Sequence, residues 1–194
     1  MKVLHLPFCF HPDPVGGTEV YVESLAAHLQ EFGIKTVIAA PWNRDARYIH
    51  NGLTVWRYAI SPTIGNISEL YGEGDARAAR GFVSILEEER PDVVHLHAFT
   101  RGVSLRLLRE VKQRGIPVVF TYHTPTVSCQ RGTLMRWGTW VCDGVIDLDI
   151  CTRCTLHGLG LSRSAADVVG RVPVSFGNLL GQARLSGGLW TALR

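Results

Sequence analysis

Residues 9–20, Cys9-Phe10-His11-Pro12-Asp13-Pro14-Val15-Gly16-Gly17-Thr18-Glu19-Val20, are the stretch from which the fold of this chain is read. Ahead of them the apolar run Val3-Leu4-His5-Leu6-Pro7-Phe8 predicts a first buried strand. Behind them Val20, Leu25, Leu29 and Phe32 recur at helical spacing, with Glu23, His28, Gln30 and Glu31 largely opposite, which predicts an amphipathic helix. A glycine pair therefore stands where a strand becomes a helix. A helix start presents unpaired N–H groups and partial positive charge, and glycine lets an anion come close to the backbone, so a phosphate or carboxylate is the natural guest of Gly16 and Gly17. The same pair also reads as a plain tight turn with Thr18 as a cap, because it is not the dinucleotide-binding G-x-G-x-x-G pattern.

Outward from this turn the chain alternates. Gly33 ends the helix, Ile34–Pro41 predicts a second strand, Asn43–Asn51 a loop, and Gly52–Tyr58 a third strand. The glycine-bearing residues 64–75 read as a loop before a helix from Ala76 through Glu89, stopped by Pro91. Asp92–Ala98 predicts a strand carrying His95 and His97 on one face, Gly102–Arg114 a helix, and Ile116–Pro125 another buried strand ending in His123. Strand and helix in alternation predict an α/β fold with a Rossmann-like, doubly wound parallel sheet flanked by helices. In such sheets ligands bind beyond the carboxyl ends of the strands, where Gly16, Gly17, His97 and His123 would meet. His5 and His95, inside strands, read as core residues. His97 and His123 are candidates to hydrogen-bond a hydroxyl or phosphate or to accept a proton.

The chain has 194 residues, 46% of them hydrophobic, enough for one large domain or two small ones. The formal net charge is +3, and the Lys and Arg residues are dispersed without interleaved aromatics, which argues against a nucleic-acid partner. The N-terminus has no signal-peptide pattern and no stretch approaches membrane-spanning length, which predicts a cytoplasmic protein. In that setting its five cysteines point to metal before disulfides.

Four of those cysteines fall in a segment where periodicity stops. Cys129, Cys142 and the pair Cys151-x-x-Cys154 could hold a structural zinc in a closed thiolate site, with His157 as a substitute ligand. Free buried thiols come second, and a disulfide or redox role third. Cys9 reads as a small buried residue. Leu134, Met135, Trp137 and Trp140, near Arg131 and Arg136, read as a small core around the cysteines, with a membrane-facing surface as the alternative. The expected organisation is a Rossmann-like core over 1–125, an irregular cysteine-rich insertion over 126–157, and helices over 158–194. Phe176, Leu179, Leu180, Leu185, Leu189, Trp190 and Leu193 give those last helices an apolar face expected to lead toward a further domain.

Pro14-Val15-Gly16-Gly17-Thr18-Glu19, then Pro91-Asp92-Val93-Val94-His95-Leu96-His97, then Val119-Phe120-Thr121-Tyr122-His123-Thr124-Pro125, in this order, resemble the N-terminal domain of family 4 glycosyltransferases of the GT-B fold. The cysteine segment resembles an insertion in a bacterial subset of that family. The resemblance implies retaining transfer of a sugar from a nucleotide-sugar donor to a glycan or lipid-linked acceptor, without a catalytic metal, so that zinc would be structural. It places Gly16 and Gly17 against the donor diphosphate, His123 in a catalytic position, and His97 and Glu19 along the acceptor cleft. It implies a partner domain of the same protein carrying the donor site, peripheral contact with the inner membrane face, and little activity from this chain alone. The alternative is a stand-alone α/β ligand-binding or regulatory module with a zinc-stapled loop.

Overall fold

The computed structural model describes residues 1–13, 16–65, 69–70, 72–125 and 128–172. The chain separates into two compact units, Met1–His123 and Thr124–Arg194. In the first unit the elements run β1 (Lys2–Leu6), α1 (Gly17–Glu31), β2 (Lys35–Trp42), β3 (Ala46–His50), β4 (Leu53–Ala59), α2 (Ala76–Glu89), β5 (Val93–Leu96), α3 (Leu105–Gln113) and β6 (Val118–Phe120). The strands form one six-stranded sheet in the order β3-β4-β2-β1-β5-β6, parallel throughout except for β3 against β4. The chain lays β2 on one side of β1, then returns through α2 to lay β5 on the other. That reversal of strand order beside β1 is where a doubly wound sheet opens a crevice for a ligand.

Alternation along the strands sorts two cores. Leu4, Leu6, Val37, Ala39, Val94 and Leu96 meet Phe82 and Leu86 of α2 and Leu107 and Val111 of α3. Ile38, Ala40, Leu53 and Val55 point the other way, toward Phe10 and toward Val22 and Ala26 of α1. The result is helix, sheet, helix in three layers.

Three expectations change here. The inward face of α1 is Glu19, Val22 and Ala26, whereas Val20 and Phe32 are exposed, at 53% and 70%. Glu19, at the third helical position, turns back to cap the helix start, and that sets the helix phase so that the small Val22 and Ala26 follow it onto the sheet. The expected loop over 43–51 contains the strand β3. Its sign is Asn51-Gly52, with φ of 47° and 79°, between the paired residues His50 and Leu53, a two-residue hairpin turn that only such residues adopt readily. The strand β6, expected to be buried, lies at the sheet edge with Val119 and Phe120 exposed.

The second unit holds a two-stranded antiparallel hairpin of β7 (Met135–Arg136) and β8 (Trp140–Val141), then α4 (Leu148–Gly158) and α5 (Arg163–Gly170). The expected irregular loop over 126–157 is thus corrected: Cys151 and Cys154 lie on a helix whose start is capped by the Asp147 carboxylate accepting from the Ile150 N–H at 2.9 Å. Residues 173–194, with their expected apolar helices, lie outside the described residues.

One buried cation ties the glycine turn to the sheet. Arg57 of β4 is fully buried; it donates to the Phe10 carbonyl at 2.7 Å, to the Pro41 carbonyl at 2.9 Å and to the Asp13 carboxylate. The Trp42 ring lies 4.9 Å from its guanidinium carbon. Replacing Arg57 with Met would take away the ion pair with Asp13, the donor to Pro41 and one of two donors to the Phe10 carbonyl, so R57M is expected to lower the unfolding free energy by about 3 kcal/mol. Urea denaturation measures this, and a loss below about 0.5 kcal/mol would show that the loop is held by other contacts.

Candidate functional site

The glycine pair sits at the start of α1. Gly16 is the residue before the first helical turn, in extended conformation, and its N–H donates to the Glu19 carboxylate at 2.9 Å. Thr18 therefore is not the cap. Neither glycine has a positive φ, and a methyl group on Gly17 would meet nothing within 4 Å among the described residues, so its missing side chain is required by no turn and no neighbour. Glu19, expected along a cleft, is buried and spends its carboxylate on Gly16. Cys9, expected to be buried, is half-buried, and its thiol is pushed up to about 11 by burial and by the neighbouring Glu19 carboxylate.

The strand ends carry imidazoles. His5 and His95 are register partners on β1 and β5, and His97 follows on the same face of the sheet as His95, so three rings fill a layer that aliphatic residues occupy elsewhere. His5 Nδ1 lies 3.1 Å from His97 Nε2, and His97 Nδ1 lies 3.3 Å from His123 Nε2. His95 Nε2 contacts the Thr121 hydroxyl at 2.7 Å. His97, expected to line the cleft, is 2% exposed with both ring nitrogens engaged, so it stands behind His123. Tyr21, one turn into α1, sets its ring edge against His123 at 4.9 Å between centroids.

This column has a direction. The inner nitrogen, His5 Nε2, is buried without a partner among the described residues. A proton there would be an orphaned buried N–H, the costlier vacancy, so the proton belongs on Nδ1. His5 then donates to His97, His97 donates to His123 Nε2, and His123 carries its own proton on Nδ1. His123 in its neutral form is therefore a hydrogen-bond donor to whatever faces Nδ1.

A second cluster was missed in the sequence. His11 and His50 stack at 4.1 Å with an interplanar angle of 15°, and their Nε2 atoms reach the two Glu23 oxygens at 3.2 and 3.1 Å. Asn51 adds a bond at 2.7 Å, and this bond, more than the imidazoles, holds the Glu23 carboxyl below its usual range. Because the ring planes are nearly parallel, no single ion can lie in both, so the carboxylate bridges the rings and ties the hairpin to α1. The Asn51-Gly52 turn was the available signal. In the second unit Cys129, Cys142, Cys151 and Cys154 all line one cavity of about 250 Å³, although no three of their sulfurs lie within 4.8 Å of one another. His157 is not on that cavity, and its Nδ1 contacts the Leu161 carbonyl at 2.8 Å.

Burial, and after it the neighbouring histidines, lowers His5 to about 3 and His97 to about 2. Both folded values lie below the unfolded 6.5, so these residues add stability above that pH and lose it as the pH falls through it. Stability is expected to drop between about pH 7 and pH 5 by up to about 2 kcal/mol for each histidine. Thermal melts across that range check it, and His5→Phe should flatten the profile. An unchanged melting temperature would contradict the buried neutral column.

One family profile and several solved structures are similar to this chain. The sequence profile described as "Glycosyl transferase 4-like domain" matches residues 16–169. No curated protein matches the sequence. Among solved structures, sucrose-phosphate synthase from Thermosynechococcus elongatus is similar with a TM-score of 0.49 and 17% identity, over 66% of this chain and 34% of that one. UDP-GlcNAc 2-epimerase from Neisseria meningitidis, bound to UDP-GlcNAc, gives a TM-score of 0.45 and 11% identity over 99% and 54%. The epimerase from Methanocaldococcus jannaschii gives 0.45 and 14% over 93% and 53%. The chain thus spans between a third and about half of these proteins. With the profile covering most of its length, from the glycine turn through α5, the chain belongs to the glycosyl transferase 4-like domain family.

Proposed function

We propose that this chain is the acceptor-side domain of a retaining glycosyltransferase that moves a sugar from a nucleotide-sugar to a glycan or lipid-linked acceptor. The observation that carries the reading is His123, held at the end of the imidazole column beside Tyr21 of α1 and presenting a donor at Nδ1. A neutral donor suits a hydroxyl of the reacting sugar or acceptor, because it fixes orientation without adding charge. The cleared N-terminus of α1 suits the diphosphate, whose charge the open N–H groups and helix dipole favour. In this reading the groups that neutralise the leaving diphosphate come from a donor-binding domain, so this chain by itself binds ligands and turns over little.

The cytoplasmic face of a membrane is part of the same proposal. Trp140, Val141, Val145, Ile146 and Leu148 are exposed in the second unit and support it, and among the described residues no helix is long and apolar enough to cross a membrane.

Two substitutions test the reading in the enzyme that joins this domain to its donor-binding domain, assayed with a panel of uridine- and guanosine-diphosphate sugars. His123→Ala and His123→Glu are expected to lower kcat at least about 100-fold, whereas His123→Gln, which keeps an N–H donor, retains a measurable part of the rate. Equal rates for the glutamine and glutamate variants would remove the donor role. Full activity in the alanine variant would remove the site. Gly17→Ala should leave stability within about 0.5 kcal/mol and weaken nucleotide-sugar binding at least about tenfold, because its methyl group takes the space left for phosphate. Unaltered affinity in calorimetry would move the diphosphate elsewhere.

A further inference from the structure

The described residues of the second unit hold little core. Among its described residues only Leu156 and Ala166 are buried hydrophobics, and its hairpin has strands of two residues each, far below what is stable alone. Leu134 and Trp137 hold positive φ values of 50° and 57°, a conformation that costs about 1 kcal/mol or more at each non-glycine residue. Something must fix this fold, and units of this size with so little core use disulfides or a metal.

The cysteine surroundings favour a metal. Four cysteines from three separate places, the Cys129 turn, the end of the hairpin at Cys142, and Cys151 and Cys154 one turn apart on α4, line the same cavity. Two of them receive N–H groups. The Trp137 N–H points at Cys154 Sγ at 3.2 Å, with Arg131 Nη1 at 3.6 Å. Around Cys129 the chain turns, with Gly132 N–H donating to the Cys129 carbonyl at 2.8 Å, and the backbone N–H groups of Arg131, Gly132, Thr133 and Leu134 reach its sulfur. Sulfurs faced by N–H groups are placed as metal-bound sulfurs are, with donors turned toward the charge that a metal site gathers. Arg131 and Arg136 on the cavity wall offset the negative charge that four thiolates leave around a divalent ion.

From the shared cavity, the N–H groups at two of its sulfurs and the missing core, we infer that Cys129, Cys142, Cys151 and Cys154 bind one zinc ion and that the second unit folds around it. Thiolates about 3.8 Å apart surround a tetrahedral zinc. No three of the sulfurs lie within 4.8 Å of one another, so binding requires side-chain rotation, and a χ1 change moves Sγ by about 3 Å. Four thiolates close the coordination sphere, so the ion holds structure and leaves no open position for chemistry. His157 is left out of the ligand set because it does not line the cavity that the four cysteines share.

The test is elemental analysis of the whole protein purified under reducing conditions, with thiol alkylation read by intact mass before and after chelation. About one zinc per chain is expected, with the four zinc-bound cysteines protected from alkylation at first and reactive after chelation. Reconstitution with cobalt(II) should give the thiolate-to-metal absorption and tetrahedral d–d bands of a four-sulfur site, and Cys9→Ser should leave both unchanged. Cys154→Ser should lose the zinc. Should that variant fail to fold, the cobalt spectrum of the unaltered protein still decides the ligands. A metal-free, folded protein with five freely reacting thiols overturns the inference, as does a mass two or four daltons low from disulfides.

Discussion

A buried guanidinium organises the mouth of the sheet. Arg57 reaches from β4 across the end of β2 to the loop that follows β1, and its hydrogen bonds to Phe10, Pro41 and Asp13 hold that loop where the strand order reverses. A charge with no exposed surface needs acceptors, and the two terminal nitrogens of Arg57 find theirs in the loop and at Pro41, so the loop and the cation specify one another. With the loop fixed, α1 begins at Gly16, and its N-terminus opens at the carboxyl edge of the sheet.

The imidazole column follows from that edge. An aliphatic layer at His5, His95 and His97 would be more stable across the pH range, because buried neutral histidines give up stability whenever acid charges the unfolded chain. In exchange, the column sets the tautomer of His123 through two rings and places a single donor at the strand end. Residues that would be structural in isolation thereby act as positioning groups for one side chain.

The two units solve the problem of cohesion differently. The first closes a six-stranded sheet between helices and buries two apolar clusters. The second has two buried apolar residues among those described, positive-φ turns, and sulfur gathered on one cavity. Exposed Trp140 under Arg163, 4.8 Å away, shows how little of its apolar surface its own fold covers.

The local sequence determined the alternation of strands and helices, the placement of the glycine pair before α1, and the shared face of His95 and His97, because the helical and strand periods and helix punctuation are local properties. Asn51-Gly52 was equally local and would have revealed β3, but the polar residues around it read as loop. Only the tertiary structure decided the rest. Pairing of β1 with β5 brought His5 to His95 across 90 residues of chain, burial turned His97 from a cleft residue into a backing residue, and the cap at Glu19 rotated α1 away from its apolar stripe. Arg57 was unremarkable in the sequence because nothing within its strand marks a cation for burial. Its partners come from loops and strands apart in the chain, and such contacts have no period to read.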